Sequence, residues 1–429
     1  MKKLKVVLLC GLFFGVFSSY AYSINIQVLF NALKRQPISR INSLMVKQAN
    51  IGYKRATDNF YPSIYGIAGW EHYNSPTSLR PMTPTESSEI AHSSGSYPFS
   101  KNITQIGVEV KFPILMFPLF EISKKALEMK KSAAERKKLE FIRNEASIVV
   151  LNAKLEYLEN LKKALDAEKE RLKKQLKILN VAVKNGRAAP VSVLKIESAI
   201  SSIRIKVNSI ETSKNQVLSA IYTLTGIKLT EPVKMQLVKK PKGGEFLPIK
   251  PLQYQLEAKR YAIRAKESEL LPKVYLSGKV FRKFGRSYNT NDPVVRNYGS
   301  IGVFVSIPIF DKPLYTDIEM AKSDYLKTKF ELEQVSLELA SKSKELKKNL
   351  TILNSSIKLA YKDVKDKKRM LNYAEVAFRI GRMTEEDYLK YVSDFLNAKA
   401  NLYELKMRRW EIISELAVIF GNDLKELVK

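Results

Sequence analysis

The side chains that carry most protein chemistry are scarce in this 429-residue chain, which holds two histidines, His72 and His92, and one cysteine, Cys10. That leaves almost no material for a His/Cys metal site or a Cys–His nucleophile, and a disulfide within one chain is impossible. No GxSxG elbow, no P-loop and no GxGxxG turn occurs. Paired carboxylates fall in Lys- and Glu-rich stretches, where solvated i,i+4 ion pairs account for them. His72 and His92 lie in or beside one predicted strand hairpin, where solvated or interfacial roles suit them better than ligation. No catalytic residue, cofactor or metal site is expected, and the reading is not that of an enzyme. What remains is charge: 73 Lys plus Arg against 43 Asp plus Glu, a formal net charge of +30. Such a balance invites a nucleic-acid or anionic-surface partner.

The first residues argue against nucleic acid. Lys2, Lys3 and Lys5 precede an uncharged run from Val6 to Phe17, and Ser19-Tyr20-Ala21 offers small residues at both positions a signal peptidase reads. This is the pattern of a secretory signal peptide over 1–21, its apolar run too short to span a bilayer. Cys10 falls inside that run behind Leu9, a poor setting for lipidation. An exported chain is badly placed to meet nucleic acid.

The elements that follow are stated twice. Ile106-Gly107-Val108-Glu109-Val110-Lys111-Phe112-Pro113-Ile114 returns as Ile301-Gly302-Val303-Phe304-Val305-Ser306-Ile307-Pro308-Ile309, at an offset of 195. The same offset carries Gly186-Arg187 onto Gly381-Arg382, Leu194 onto Leu389 and Gly226 onto Gly421. Pro62 and Tyr65 recur as Pro272 and Tyr275 at an offset of 210, the difference being absorbed by a longer loop in the first copy. Several matches in a constant frame indicate a tandem duplication. Each copy has a stretch without Gly or Pro, Leu119 to Asn185 and Leu314 to Ile380. As helices these would be roughly 100 Å long. Leu151, Leu155, Leu158, Leu165, Leu172, Leu176, Leu179 and Val183 follow a 4-3 alternation, with Lys162 and Lys169 in its gaps. Leu346, Leu350, Leu353, Ile357, Ala360, Val364, Leu371, Ala374 and Phe378 repeat the frame. Such a period specifies coiled-coil packing. Pro118 and Pro313 suit the entrances, and Gly186 and Gly381 the exits. Return helices are predicted over Val191–Thr225 and about Thr384–Phe420.

Four segments alternate like strands: Tyr61 to Tyr73, Ile103 to Phe112, Lys273 to Arg282, and the run through Ile301, Val303, Val305 and Ile307. Each is long enough to cross a bilayer when tilted. Polar, irregular loops are expected over Asn74–Ser100 and about Lys283–Arg296. Tyr61, Trp70, Tyr73, Phe112, Phe117, Tyr288 and Tyr298 bracket the strand ends as an aromatic girdle would. The pattern fits a soluble four-stranded sheet equally well. If the strands span a membrane, four cannot close a barrel alone, and two chains or three would be required. The domain reading is therefore 1–21 signal peptide and 22–226 first repeat, with β-hairpin 61–112 and coiled-coil hairpin 117–226. A linker over 227–250 follows, then the second repeat over 251–421, with hairpins 273–307 and 312–421, and a tail over 422–429.

From about Ile24 to Asn422 this order resembles the TolC-like outer-membrane efflux proteins. Ile26-Gln27-Val28-Leu29-Phe30-Asn31-Ala32-Leu33 with Gln36-Pro37 is similar to the family's opening helix. Gly381-Arg382-Met383-Thr384-Glu385-Glu386-Asp387-Tyr388-Leu389, ending at Leu416-Ala417-Val418-Ile419-Phe420-Gly421, resembles its tip and return helix. The resemblance implies a mainly α fold: long antiparallel coiled-coil helices forming a periplasmic α-barrel below a twelve-stranded trimeric β-barrel in outer-membrane lipid. It implies a passive exit duct of a tripartite efflux pump or type I secretion system. The implied partners are a periplasmic adaptor protein and an inner-membrane RND or ABC transporter. A secreted periplasmic or surface coiled-coil scaffold or adhesin without a pore is the alternative.

The resemblance also implies site residues. Gly186, Arg187, Gly381 and Arg382 would form the periplasmic tips that meet the adaptor, although two helix C-caps followed by a solvated arginine explain them equally. Asp387 matches the family's acidic residue just inside the entrance. Glu385 and Glu386 would reinforce it, or simply favour a helix N-terminus. Lys390 stands where a second acid is expected, and Ser192 replaces the acid in the first copy, so an acidic ring is weakened. Leu119–Asn185 carries 17 Lys/Arg against 10 Asp/Glu, and Leu314–Ile380 carries 14 against 10. The net charge is thus spread over solvated helices. If enough lysines face inward, the tunnel should favour anions, with Asp387 a local exception.

Overall fold

A computed structural model describes residues 25–429; the predicted signal peptide and Cys10 lie outside the described residues. The chain runs α1 (Ile26–Leu33), α2 (Pro37–Asp58), β1 (Ser63–Ser78), α3 (Pro84–His92), β2 (Phe99–Leu115), α4 (Phe117–Lys184) and α5 (Pro190–Thr225). It continues through α6 (Ile249–Ser268), β3 (Lys273–Arg286), β4 (Pro293–Ser306), α7 (Lys312–Arg379), α8 (Glu385–Phe420) and α9 (Leu424–Leu427).

The two long helices are each 68 residues and their return helices each 36. Their ends follow from the residues foreseen. Gly186 and Gly381 adopt φ of 68° and 74°, the left-handed region where a Cβ is penalised. Each closes a Schellman motif: Arg187 N–H donates to Ala182 O at 2.8 Å, and Arg382 N–H to Ala377 O at 2.9 Å. Leu155, Leu158, Leu165, Leu172 and Leu179 of the α4 heptads are buried, with Leu151, Leu176 and Val183 half-buried. Lys162 and Lys169 do fall in the gaps, half-buried and paired with Glu211 and Asp166. α4 is the hub, packing against α1, α2, α5, α6, α8 and α9, whereas α7 packs chiefly on α6 and α8. One side of α7 is left with exposed Leu326, Phe330, Leu337, Ile352, Leu359 and Tyr373.

Between α5 and α6 the chain lies along the middle of the helices. Buried Asn152 fastens it, donating to Val233 O at 2.7 Å and accepting from Val233 N–H at 2.8 Å. The tail joins the same belt, Gln236 and Lys429 exchanging hydrogen bonds of 2.7 and 3.0 Å. Fully buried Glu145 on α4 faces Asp423, the N-cap of α9, and the backbone of Leu424.

The four strands form one antiparallel sheet in the order β1-β2-β3-β4, leaving β1 and β4 as free edges among the described residues. Both hairpins share a register: Tyr65 faces Glu109, and Tyr275 faces Phe304, the pairs that the two sequence offsets superimpose. The strands are longer than their alternating patterns. β1 reaches Ser78 because Thr77 and Ser78 pair with Ser100 and Phe99 beyond an irregularity. β3 and β4 extend into the expected Lys283–Arg296 loop, leaving only 287–292 as a turn. The expectation of an irregular 74–100 loop is corrected further by α3. Thr83 caps that helix, accepting from Glu86 N–H at 3.2 Å behind Pro84. The loop after α3 is clasped to the second turn. Ser96 Oγ donates to Asp292 Oδ2 at 2.6 Å, Tyr97 N–H to Asn289 Oδ1 at 2.9 Å, and Asn289 Nδ2 to Gly95 O at 3.0 Å.

Candidate channel wall and helical tip

The registers sort every strand residue onto one of two faces, since successive side chains alternate. One face carries Ile64, Ala68, Trp70, Ile106, Val108, Val110, Phe112, Leu276, Val280, Ile301, Val303 and Val305. It is largely exposed: Ile64 and Trp70 keep 68% and 65% of their surface and Ile301 78%. An apolar surface this continuous needs an apolar neighbour. The opposite face carries Ser63, Tyr65, Gln105, Glu109, Lys111, Ser277, Lys279, Lys283, Arg296, Tyr298 and Ser300. Apolar-out and polar-in alternation with free edges at both sides is the requirement for a share of a membrane barrel. Among the described residues no helix is long and apolar enough to cross a membrane.

At the far end of the helices, Gly186 and Gly381 have open space where a Cβ would project, and Arg187 and Arg382 are exposed. Asp387, Glu386 and Lys390 are exposed on the first turns of α8, whereas Ser192 is buried beside Glu385. Asp387 is also engaged by the N-cap of α8, Thr384. Thr384 Oγ1 accepts from Asp387 N–H at 3.1 Å and donates to Asp387 Oδ2 at 2.7 Å. The sequence reading missed Lys195 of α5, whose Nζ lies 3.2 Å from Glu385 and 3.6 Å from Glu386. That pairing ties the first turn of α8 to α5. The Glu385 carboxyl is held below the usual range by a backbone hydrogen bond and then by Lys195 and Ser192.

A buried polar cluster lies behind the tip. Tyr388 is fully buried, stacked on Phe378 with ring centroids 5.0 Å apart. Arg171 reaches Glu375 at 3.6 Å and Glu168 at 3.9 Å. Burial pushes the Glu168 carboxyl and the Tyr388 hydroxyl up, and the Lys399 ammonium down. In sequence Glu168 and Arg171 look like an ordinary solvated i,i+3 pair. Nothing local marks them as enclosed by α7 and α8. No group of three or more potential metal ligands occurs among the described residues.

Residues 249–422 match the family model described as outer membrane efflux protein. Over this span the sequence is similar to that family. No curated protein matches the sequence. Among solved structures, the Campylobacter jejuni CmeC outer membrane channel matches at TM-score 0.76 and 16% identity, covering 92% of this chain and 85% of that one. The Vibrio cholerae outer membrane protein VceC matches at 0.76 and 16%, covering 92% and 96%. The open state of the Neisseria gonorrhoeae MtrE outer membrane channel matches at 0.72 and 16%, covering 93% and 89%. At these identities the likeness is one of fold, and it extends over the larger part of the chain that the family model leaves unmatched. The resemblance to TolC-like outer-membrane efflux proteins holds, and with it an outer-membrane location with the helical tunnel in the periplasm.

Proposed function

We propose that this outer membrane efflux protein is the exit duct of a tripartite pump or type I secretion system. It works as a homotrimer. Three four-stranded sheets close edge to edge into a twelve-stranded barrel in outer-membrane lipid, and the long hairpins line a passage through the periplasm. The observation that carries the reading is the sheet, apolar on one face except for Arg282 and Arg286 towards its turn end, charged on the other, and unpaired at both edges among the described residues. In a bilayer those edges must be satisfied by further strands. The exposed apolar stripe on α7 supports the same conclusion, since it lacks a partner among the described residues.

The chain is a tandem duplication with the boundaries given above, which the shared hairpin register and equal helix lengths support. The turns at Gly186-Arg187 and Gly381-Arg382 meet a periplasmic adaptor coupled to an RND or ABC transporter. Asp387, Glu386 and Lys390 border the entrance, with Ser192 packed behind them. Cargo passes by conduction, without covalent chemistry. Purified protein added to planar bilayers should give stable single-channel currents and run as a heat-sensitive oligomer. A monomer without conductance would mean a pore-less scaffold.

A further inference from the structure

We infer that the barrel interior contains an anion-selective belt, formed by Lys283 and Arg296, and that the duct favours anionic cargo. The inference rests on the pore reading above and names the class of solute that the pore prefers.

Within the uninterrupted strand registers, the polar face holds five cations, Lys111, Lys273, Lys279, Lys283 and Arg296, against two carboxylates, Glu71 and Glu109. Glu109 is engaged by Lys111 at 3.4 Å. Glu71 accepts from the Tyr73 hydroxyl and, at 3.5 Å, from Gln105 Nε2. Even if both carboxylates are counted as neutralising, each chain keeps an excess of positive charge on this face.

The excess is concentrated in one row. Lys283 and Arg296 are direct partners across β3 and β4, with Gln105 and Gly69 completing the row on β2 and β1. Like charges directly opposite each other destabilise a sheet unless something answers them. Among the described residues neither has a carboxylate within ion-pair distance; Arg296 Nη1 instead donates to the neighbouring Val295 O at 2.8 Å. Both side chains are half-buried. The adjacent row places Phe281 opposite Tyr298. Phe281 lies across Gly107, where a Cβ would come within 2.4 Å of its ring. A basic row thus adjoins an aromatic one. Three copies would set six cations around the passage, near the strand end remote from the long helices. A ring of one sign bordered by apolar wall concentrates counter-ions and raises their permeability, as charged rings do in channels.

The test is the reversal potential of the full-length protein in planar bilayers across a KCl gradient. Wild type should prefer chloride. Lys283→Gln with Arg296→Gln should lower the chloride-to-potassium permeability ratio by at least about twofold, screening across a wide pore limiting the effect. Arg282→Gln with Arg286→Gln removes the same charge from the lipid-side face and should leave the ratio unchanged. Glu71→Gln with Glu109→Gln should raise it. Potassium preference in wild type, or equal shifts from both arginine- and lysine-directed pairs, would overturn the belt while leaving the pore intact. No conductance at all would overturn the pore, and the belt with it.

Discussion

Glu145 gives the sharpest test of how the helical body is held together. Its side chain is fully buried on α4, and its carboxyl is held up at about 8, first by burial and then by the neighbouring charge of Asp423. Leu424 N–H and Lys34 oppose the shift without cancelling it. The folded carboxyl therefore binds its proton more tightly than the unfolded one. The stability this contributes is fully present below the ordinary carboxylate range and is lost as pH rises towards 8. The slope through that window is about 1.4 kcal/mol per pH unit, so the loss between pH 5.5 and 7.5 is about 3 kcal/mol. Glu145→Gln keeps the shape and cannot ionise. Thermal unfolding followed by circular dichroism in detergent should show the wild type losing roughly 3 °C more than the variant over that interval. Parallel pH curves for the two proteins would refute a protonated Glu145 at the α4–α9 contact.

Three further perturbations follow from the same geometry. Gly186→Ala meets no neighbouring atom yet must hold φ near 68°; it should cost about 1–2 kcal/mol and speed amide exchange in the last turn of α4. Asn152→Ala strands the Val233 N–H and C=O; a loss of about 2–4 kcal/mol should appear as a lower Tm, with earlier proteolysis around Val233. Leu337→Glu places a charge on the uncovered side of α7, where Leu337 keeps 73% of its surface; oligomer should be lost on mild-detergent gels while helicity is kept.

The long helices were legible because their limits are set by local chemistry: proline at the entrance, a glycine with positive φ at the exit, and a heptad frame between. The strand hairpins were legible where Ile, Val and aromatic residues alternate. The pattern fails over Ser75 to Ser78, because pairing with Phe99 and Ser100 across the sheet holds that segment extended, not its own composition. α3 was missed because Ser, Thr and Pro read as loop until Thr83 and Pro84 are seen as a helix start. Asp387 was legible as an acidic tip residue, but its capping bond to Thr384 competes with a role facing the passage. Lys195 and the Glu168–Arg171–Tyr388 cluster escaped notice for a different reason. They are made by residues about 200 positions apart, and only the packing of α4, α5, α7 and α8 brings them together.

The clasp between the two strand turns has an immunological consequence. Ser96, Tyr97 and Gly95 come from the first hairpin, and Asn289, Thr290 and Asp292 from the second, yet their hydrogen bonds knit them into a single outward surface. An antibody raised against the folded protein meets both segments at once. Its epitope is discontinuous, so neither hairpin presented as a peptide reproduces it. Recognition should vanish when the protein is boiled and should survive substitutions that leave the clasp intact.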